Sequence, residues 1–216
     1  MEDKLWKILL FVFIGIAISI PVAAKVGEMR INNFIEERYR AFINKYPQWE
    51  SVWMEEELGE LIIVKVDEVV KEGIKELLKD EGMRFFFTID GEKAFNTLHG
   101  KLQNLDRLSD YYSYRKGGYR IADPDTTYAR ILRQKQRSRK LKRGLFCNGR
   151  TSALASAYAL IFLDTTFEIV AMRGPKNHLN HVVFAKDGVA LSDDSKEPIS
   201  WYRAKFDSVY FLKRVK

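Results

Sequence analysis

From Thr151 to Leu163 the chain reads TSALASAYALIFL, a stretch without a single charged residue. The alternating alanines, with Leu154, Tyr158, Leu160 and Ile161 among them, predict a helix that is apolar on every side. Such a helix has to be buried all round, so other elements must wrap it in the middle of the domain. With 216 residues there is enough chain for one sizeable core around that helix and too little for two independent domains of ordinary size. Hydrophobic residues at 46% and charged residues at 30% suit a folded body and argue against extended disorder. No repeat and no Gly/Ser- or Pro-rich linker divides the chain.

The first half reads as mostly helical. Ile31, Phe34, Ile35, Tyr39, Phe42 and Ile43 recur at three- and four-residue spacings with charges between them, the pattern of an amphipathic helix that Pro47 terminates. A second helix is expected over 58–78, carrying Leu61, Ile62, Val66, Val69, Val70, Ile74, Leu77 and Leu78. A strand is expected over 83–89, with its Phe85-Phe86-Phe87 run in the core. His99, before Gly100, reads as a structural residue near a helix end. Tyr111, Tyr112, Tyr114 and Tyr119 surround the Gly117-Gly118 turn, a composition that serves a binding rim or a packed loop.

Ahead of these elements lies the apolar run LWKILLFVFIGIAISIPVAA, Leu5 to Ala24. About 20 apolar residues cross a bilayer as a helix, so the run is near the lower limit for a signal anchor. It equally fits a signal peptide, with Lys4 and Lys7 as the leading charges and Val22-Ala23-Ala24 as a small-residue ending. Either reading takes residues 1–24 to a membrane, and the chain is expected to be membrane-bound through a single pass or secreted. Lys25, Arg30, Arg38 and Arg40 after the run favour a cytoplasmic body by the positive-inside rule. Short leaders of this form export the chain behind them, and an extracytoplasmic body is the expectation.

The formal charge of +7 suits an anionic partner. Much of it is concentrated in one expected helix, Thr126 to Arg143, which comes after the turn Asp123-Pro124-Asp125 and is stopped by Gly144. Arg130, Arg133, Lys135, Arg137, Arg139, Lys140, Lys142 and Arg143 are unbalanced by acidic residues. They form either a solvated face or an anion-binding surface for phosphate, lipid or an acidic polymer leading to the site, with Arg139, Lys140, Lys142, Arg143 and Arg150 closest to it.

A lone cysteine cannot form an internal disulfide, so Cys147 is free, metal-bound or reactive. It falls where the apolar helix begins, at the end where backbone amides point outward and the macrodipole is positive. Helix N-termini and neighbouring cations favour thiolates over thiols. A thiol nucleophile also requires a base and a group that orients the base. His181 opens the alternating run His-Val-Val-Phe-Ala-Lys and shares a face with Val183 and Ala185. The Asp187-Gly188 turn then leads into Val189-Ala-Leu-Ser-Asp193, so a β-hairpin carries Asp193 back beside His181.

These residues resemble the transglutaminase-like superfamily. Gly144 to Cys147 matches the glycine-then-cysteine approach, Arg173-Gly174 the glycine before the histidine loop, His181-Val-Val the histidine strand, and Asp193-Asp-Ser195 the Asp-x-Thr/Ser ending. The match covers about Asp123 to Ser195. This chain departs from the pattern in one extra residue between Gly144 and Cys147, in Asn148-Gly149 where an acidic residue is common, and in Val183 where an aromatic is common. The resemblance implies an α+β fold: a mostly helical N-terminal extension over 25–122, then a papain-like, transglutaminase-like catalytic core over 123–216 whose central helix packs on an antiparallel sheet. It implies a catalytic triad of Cys147, His181 and Asp193, and a thiol enzyme without a cofactor. Such an enzyme is a cysteine protease, amide hydrolase or acyl transferase acting on a protein or peptide through a Cys147 thioester.

Two other function classes fit the residues. A zinc hydrolase would use His178, His181 and Cys147 or a carboxylate, although two histidines three apart in an extended segment do not share a face. A membrane-anchored basic binding protein would use residues 130–143 for lipid, nucleic acid or polymer, on a catalytically inactive scaffold.

Overall fold

The computed structural model describes residues 2–55, 59–103, 115–116, 119–138, 146–174, 181–193, 196–211 and 213–215. Their side chains are described from residue 17 onward, except at 18, 115, 116, 119, 138 and 210–215. Helix α1, Glu2–Lys45, runs unbroken through Pro21. Its amphipathic part lies as the spacing predicts, with Ile31, Ile35 and Phe42 fully buried. Among the described residues no helix is long and apolar enough to cross a membrane. Most of the Leu5–Ala24 run lies where only the backbone is described.

After α1 come strands β1 (Glu50–Glu55) and β2 (Glu60–Lys65), then helix α2 (Glu68–Lys79). The single helix expected over 58–78 is therefore a strand followed by a helix. Along β2, Glu60, Ile62 and Val64 are buried and Leu61, Ile63 and Lys65 half-buried, a period of two that seats the β-branched residues on a pleated surface. Asp67 marks the change, taking extended backbone and accepting the Val70 amide at 2.9 Å as the N-cap of α2. The strand expected over 83–89 is also absent: Gly82–Phe85 form a 3-10 turn. Of the phenylalanine run only Phe85 is fully buried, and Phe87 is 79% exposed. Helix α3 (Gly91–Gln103) comes next, with Asp90 accepting the Lys93 amide at 2.8 Å. His99 is buried on α3 within hydrogen-bond distance of Gln103, a structural setting.

Strands β3 (Arg115–Lys116) and β4 (Tyr119–Ala122) lead to helix α4, Pro124–Ser138. Tyr111, Tyr112 and Tyr114 lie outside the described residues, as do residues 139–145. Helix α5, Cys147–Phe162, carries the uncharged stretch from Thr151 onward, and its middle is buried as its composition demands. Its last turn is closed by Leu163 in the left-handed region, whose carbonyl accepts Lys45 Nζ at 2.9 Å and the Tyr46 hydroxyl at 3.1 Å from the end of α1. Strands β5 (Glu168–Arg173), β6 (His181–Lys186) and β7 (Val189–Ala190), helix α6 (Ile199–Arg203), and strands β8 (Ser208–Phe211) and β9 (Lys213–Val215) complete the chain.

The fold is mixed α+β, helix-rich in its N-terminal half, with two sheets. One has the order β3-β4-β2-β1-β9 and is antiparallel except for the parallel pair β2–β4. The other, β7-β6-β5-β8, is antiparallel throughout. Helix α5 packs against β2 of the first sheet, β6 of the second, and α1, α3 and α4. The second sheet is covered on both faces. Val182 and Phe184 join the main core with α5, while Val183 and Ala185 join Ala190, Ile199 and Tyr202 in a smaller cluster behind.

Candidate active site

Cys147 occupies the first turn of α5, after an extended Phe146, and its thiol is partly exposed. That turn is anchored to the first sheet. Asn148, buried, donates to Glu60 Oε2 at 3.0 Å and accepts the Gly149 amide at 2.8 Å. Glu60, also buried, pairs with Arg120 at 2.6 Å. One turn on, the Ser152 hydroxyl donates to the Ile63 carbonyl at 2.6 Å. Position 148, where the transglutaminase-like pattern favours an acidic residue, thus carries the amide partner of a buried carboxylate on the neighbouring strand.

His181 heads β6, and the hairpin forms with the register its sequence predicts: Ala185 faces Ala190 and Lys186 faces Val189. Asp187 and Gly188 both have positive φ, 51° and 77°, as a type I′ turn requires. The return strand is shorter than expected, ending at Ala190. Beyond it the Ser192 hydroxyl accepts the Phe184 amide at 3.0 Å, taking over a ladder bond while the backbone turns away. That departure swings Asp193 towards the imidazole, where its Oδ2 lies 2.7 Å from His181 Nε2.

Asp193 is a hub. Its Oδ2 also accepts the Tyr202 hydroxyl of α6 at 2.5 Å, and its Oδ1 accepts Arg150 Nη2 at 3.3 Å. The carboxylate loses water by burial, which alone would favour its neutral form. His181, Tyr202 and Arg150 more than offset that and hold its pKa below the ordinary value. For His181, burial likewise opposes charge, yet hydrogen bonds and charge from Asp193 and Cys147 push its pKa up to about 9. With Nε2 committed to Asp193, Nδ1 is the nitrogen left for the sulfur. Tyr202 and Phe206 stack near-parallel to the imidazole, each with ring centroids 6.3 Å away, and restrict its rotation.

A second layer ties these pieces together. Thr151, one turn after Cys147 on the same helix, donates to the Val182 carbonyl at 2.9 Å and contacts the Ser192 hydroxyl at 3.4 Å. Thr151 and Ser192 are fully buried. Each member of this junction neighbours one of the three: Thr151 lies a turn from Cys147, Val182 adjoins His181, and Ser192 adjoins Asp193.

Cys147, His181 and Asp193, expected together from the residue order, meet in space. Arg150, expected to bind anions, pairs with Asp193. Arg139, Lys140, Lys142 and Arg143 lie outside the described residues, as do His178, Asp194 and Ser195. Among the described residues no three His, Cys, Asp or Glu side chains are grouped to hold a metal ion. Tyr202, Phe206, Thr151 and Ser192 escaped the sequence reading. Thr151 and Ser192 had a faint signal, as hydroxyls within otherwise apolar patterns, whereas nothing local ties Tyr202 to a carboxylate nine positions upstream. Compared with protein-family models, with curated proteins and with solved structures, the chain matches none.

Proposed function

We propose that this chain is a thiol enzyme of the transglutaminase-like kind, a cysteine-dependent amide hydrolase or acyl transferase with a papain-like core over 123–216. The observation that carries the reading is the convergence of three polar side chains from three separate segments at the tip of a buried helix, with His181 hydrogen-bonded to Asp193 at 2.7 Å and near enough to Cys147 to be raised in pKa by it. A core thiol and a structural histidine have no need of such an arrangement.

In the proposed reaction, His181 Nδ1 holds the proton taken from the Cys147 thiol. The sulfur attacks the carbonyl carbon of a substrate amide, forming a C–S bond and a tetrahedral oxyanion, towards which the Cys147 backbone N–H is the proposed donor. Collapse breaks the C–N bond as the imidazolium protonates the departing amine, leaving a thioester. Water, or a second amine, then attacks the thioester with His181 as base, and the thiol is regenerated. Asp193 keeps the imidazole in one tautomer and stabilises its charge. The substrate class is a protein or peptide. We further read the N-terminal apolar run as the segment that takes the chain to a membrane, as anchor or as leader, with the body extracytoplasmic.

The test is labelling of the full chain with a thiol-reactive acyl probe at neutral pH. Loss of a general base costs about 10²–10⁴-fold, so His181→Ala should label at least 100-fold more slowly, and Cys147→Ala not at all. Equal labelling of wild type and His181→Ala would remove the proposed base. Salt-sensitive polyanion binding that survives Cys147→Ala in a chain that does not label would favour the basic scaffold instead.

A further inference from the structure

The body grips α1 only from about Ala23 onward. The described side chains before that point, Ala17, Ser19, Ile20, Pro21 and Val22, are exposed, and Gly27 is the first buried residue. The backbone helix continues to Glu2. At about 1.5 Å per residue, the backbone helix ahead of Ala23 is roughly 30 Å long, and its sequence is the apolar run.

Where α1 leaves the body, the element beside it is the turn Gly82–Phe85. The approach is backbone to backbone: a Cβ at Gly27 would lie 1.7 Å from the Gly82 carbonyl oxygen, and one at Gly82 would lie 2.3 Å from the Ala24 carbonyl oxygen. This turn carries Met83, 50% exposed, and leads to Phe87 at 79%. Among the described residues, five of the eight exposed large apolar side chains (Ile20, Val22, Met29, Met83, Phe87) lie on α1 or on this turn and its flank.

Lys25 and Lys79 share Glu28, at 2.9 and 3.6 Å, while Arg84 and Lys101 share Glu81, at 3.9 and 2.8 Å. With Asp80, Asp90 and Glu92 on the same stretch, the charges flanking the exposed Met83 and Phe87 are of both signs and close to balanced. Exposed apolar tips among mixed charges, at the root of an apolar helix, match the boundary between acyl chains and headgroups.

We propose that the 82–87 turn is a membrane-interface contact: Met83 and Phe87 enter the headgroup region of a bilayer, with the body seated against it at the point where α1 enters it. The proposal rests on the reading that the N-terminal run reaches a membrane, and is independent of the thiol chemistry. It sets which side of the body faces lipid.

The full chain, reconstituted into phosphatidylcholine–phosphatidylglycerol vesicles, tests it by tryptophan fluorescence. Phe87→Trp and, separately, Met83→Trp add an indole at an exposed position that needs no repacking. Trp6→Phe, by difference, reports on the apolar run itself. The expected result is that the added emission shifts to the blue with vesicles and is quenched by lipids brominated near the headgroup end of the acyl chain. Quenching of Trp6 without quenching at 83 or 87 would overturn the interface contact and leave the membrane reading intact. Quenching at none of the three would overturn both. A blue shift at 87 that grows with protein concentration in the absence of lipid would overturn it in favour of a second copy of this chain.

Discussion

At Asp193, one carboxylate oxygen takes the His181 imidazole N–H and the Tyr202 hydroxyl, and the other takes Arg150. Removing the carboxylate charge should release the imidazole from its raised pKa. With a probe whose leaving group is an amine, acylation needs the imidazolium as acid. Wild-type labelling should therefore fall as pH rises through about 9, and in Asp193→Asn that limb should move down towards 6.5, read from rate against pH. Stability depends on the same groups. The raised His181 pKa contributes stability in full below 6.5 that is lost as pH rises through about 9. The lowered Asp193 pKa contributes stability above 3.8 that is lost as pH falls through its folded value. Urea midpoints should thus form a plateau between these limbs, and Asp193→Asn should flatten both. At this scale Cys147, His181 and Asp193 were legible because each stands at the end of an element whose pattern is local. Tyr202 was not, because α6 meets Asp193 only through tertiary packing.

Helix α5 and the hairpin are joined at Thr151. Replacing it by valine keeps the shape but strips the donor to the Val182 carbonyl, at a cost of about 1–3 kcal/mol in urea unfolding. Acyl labelling should also slow, since the junction sets the spacing of helix tip and hairpin. Gly188, at φ 77° with open space where a Cβ would go, separates backbone strain from packing: Gly188→Ala should cost about 1–2 kcal/mol purely from the left-handed backbone, measured in the same way. That hairpin could be read from the sequence because Asp-Gly turn chemistry is local. Residues 58–65 could not. Leu61, Ile62, Ile63 and Val64 are apolar in a row, and such a run fits a helix face as well as a strand until a partner exists. Pairing of β2 with β1 and β4 decides it.

Over the whole molecule, α1 is the strap. It contributes Ile31, Ile35 and Phe42 to the main core, closes the end of α5 through Lys45 and Tyr46, and links to α2 through Glu36, which pairs with Lys71 at 3.1 Å and with Lys75. At Gly27 it passes backbone to backbone against Gly82, so Gly27→Ala should destabilise by more than about 2 kcal/mol and expose the α1 junction to limited proteolysis, because neither backbone has room to give. The sequence by itself determined that a buried helix with an uncharged middle begins at a cysteine, that a hairpin comes after it with a histidine at its head, and that an amphipathic helix precedes both, since periodicity, composition and turn chemistry act over a few residues. Only the tertiary structure decided that β2 is a strand, that Arg150 and Tyr202 serve Asp193 and that a turn at Gly82 abuts the root of α1. Those outcomes depend on which surfaces meet across long stretches of chain, and local patterns carry no record of that.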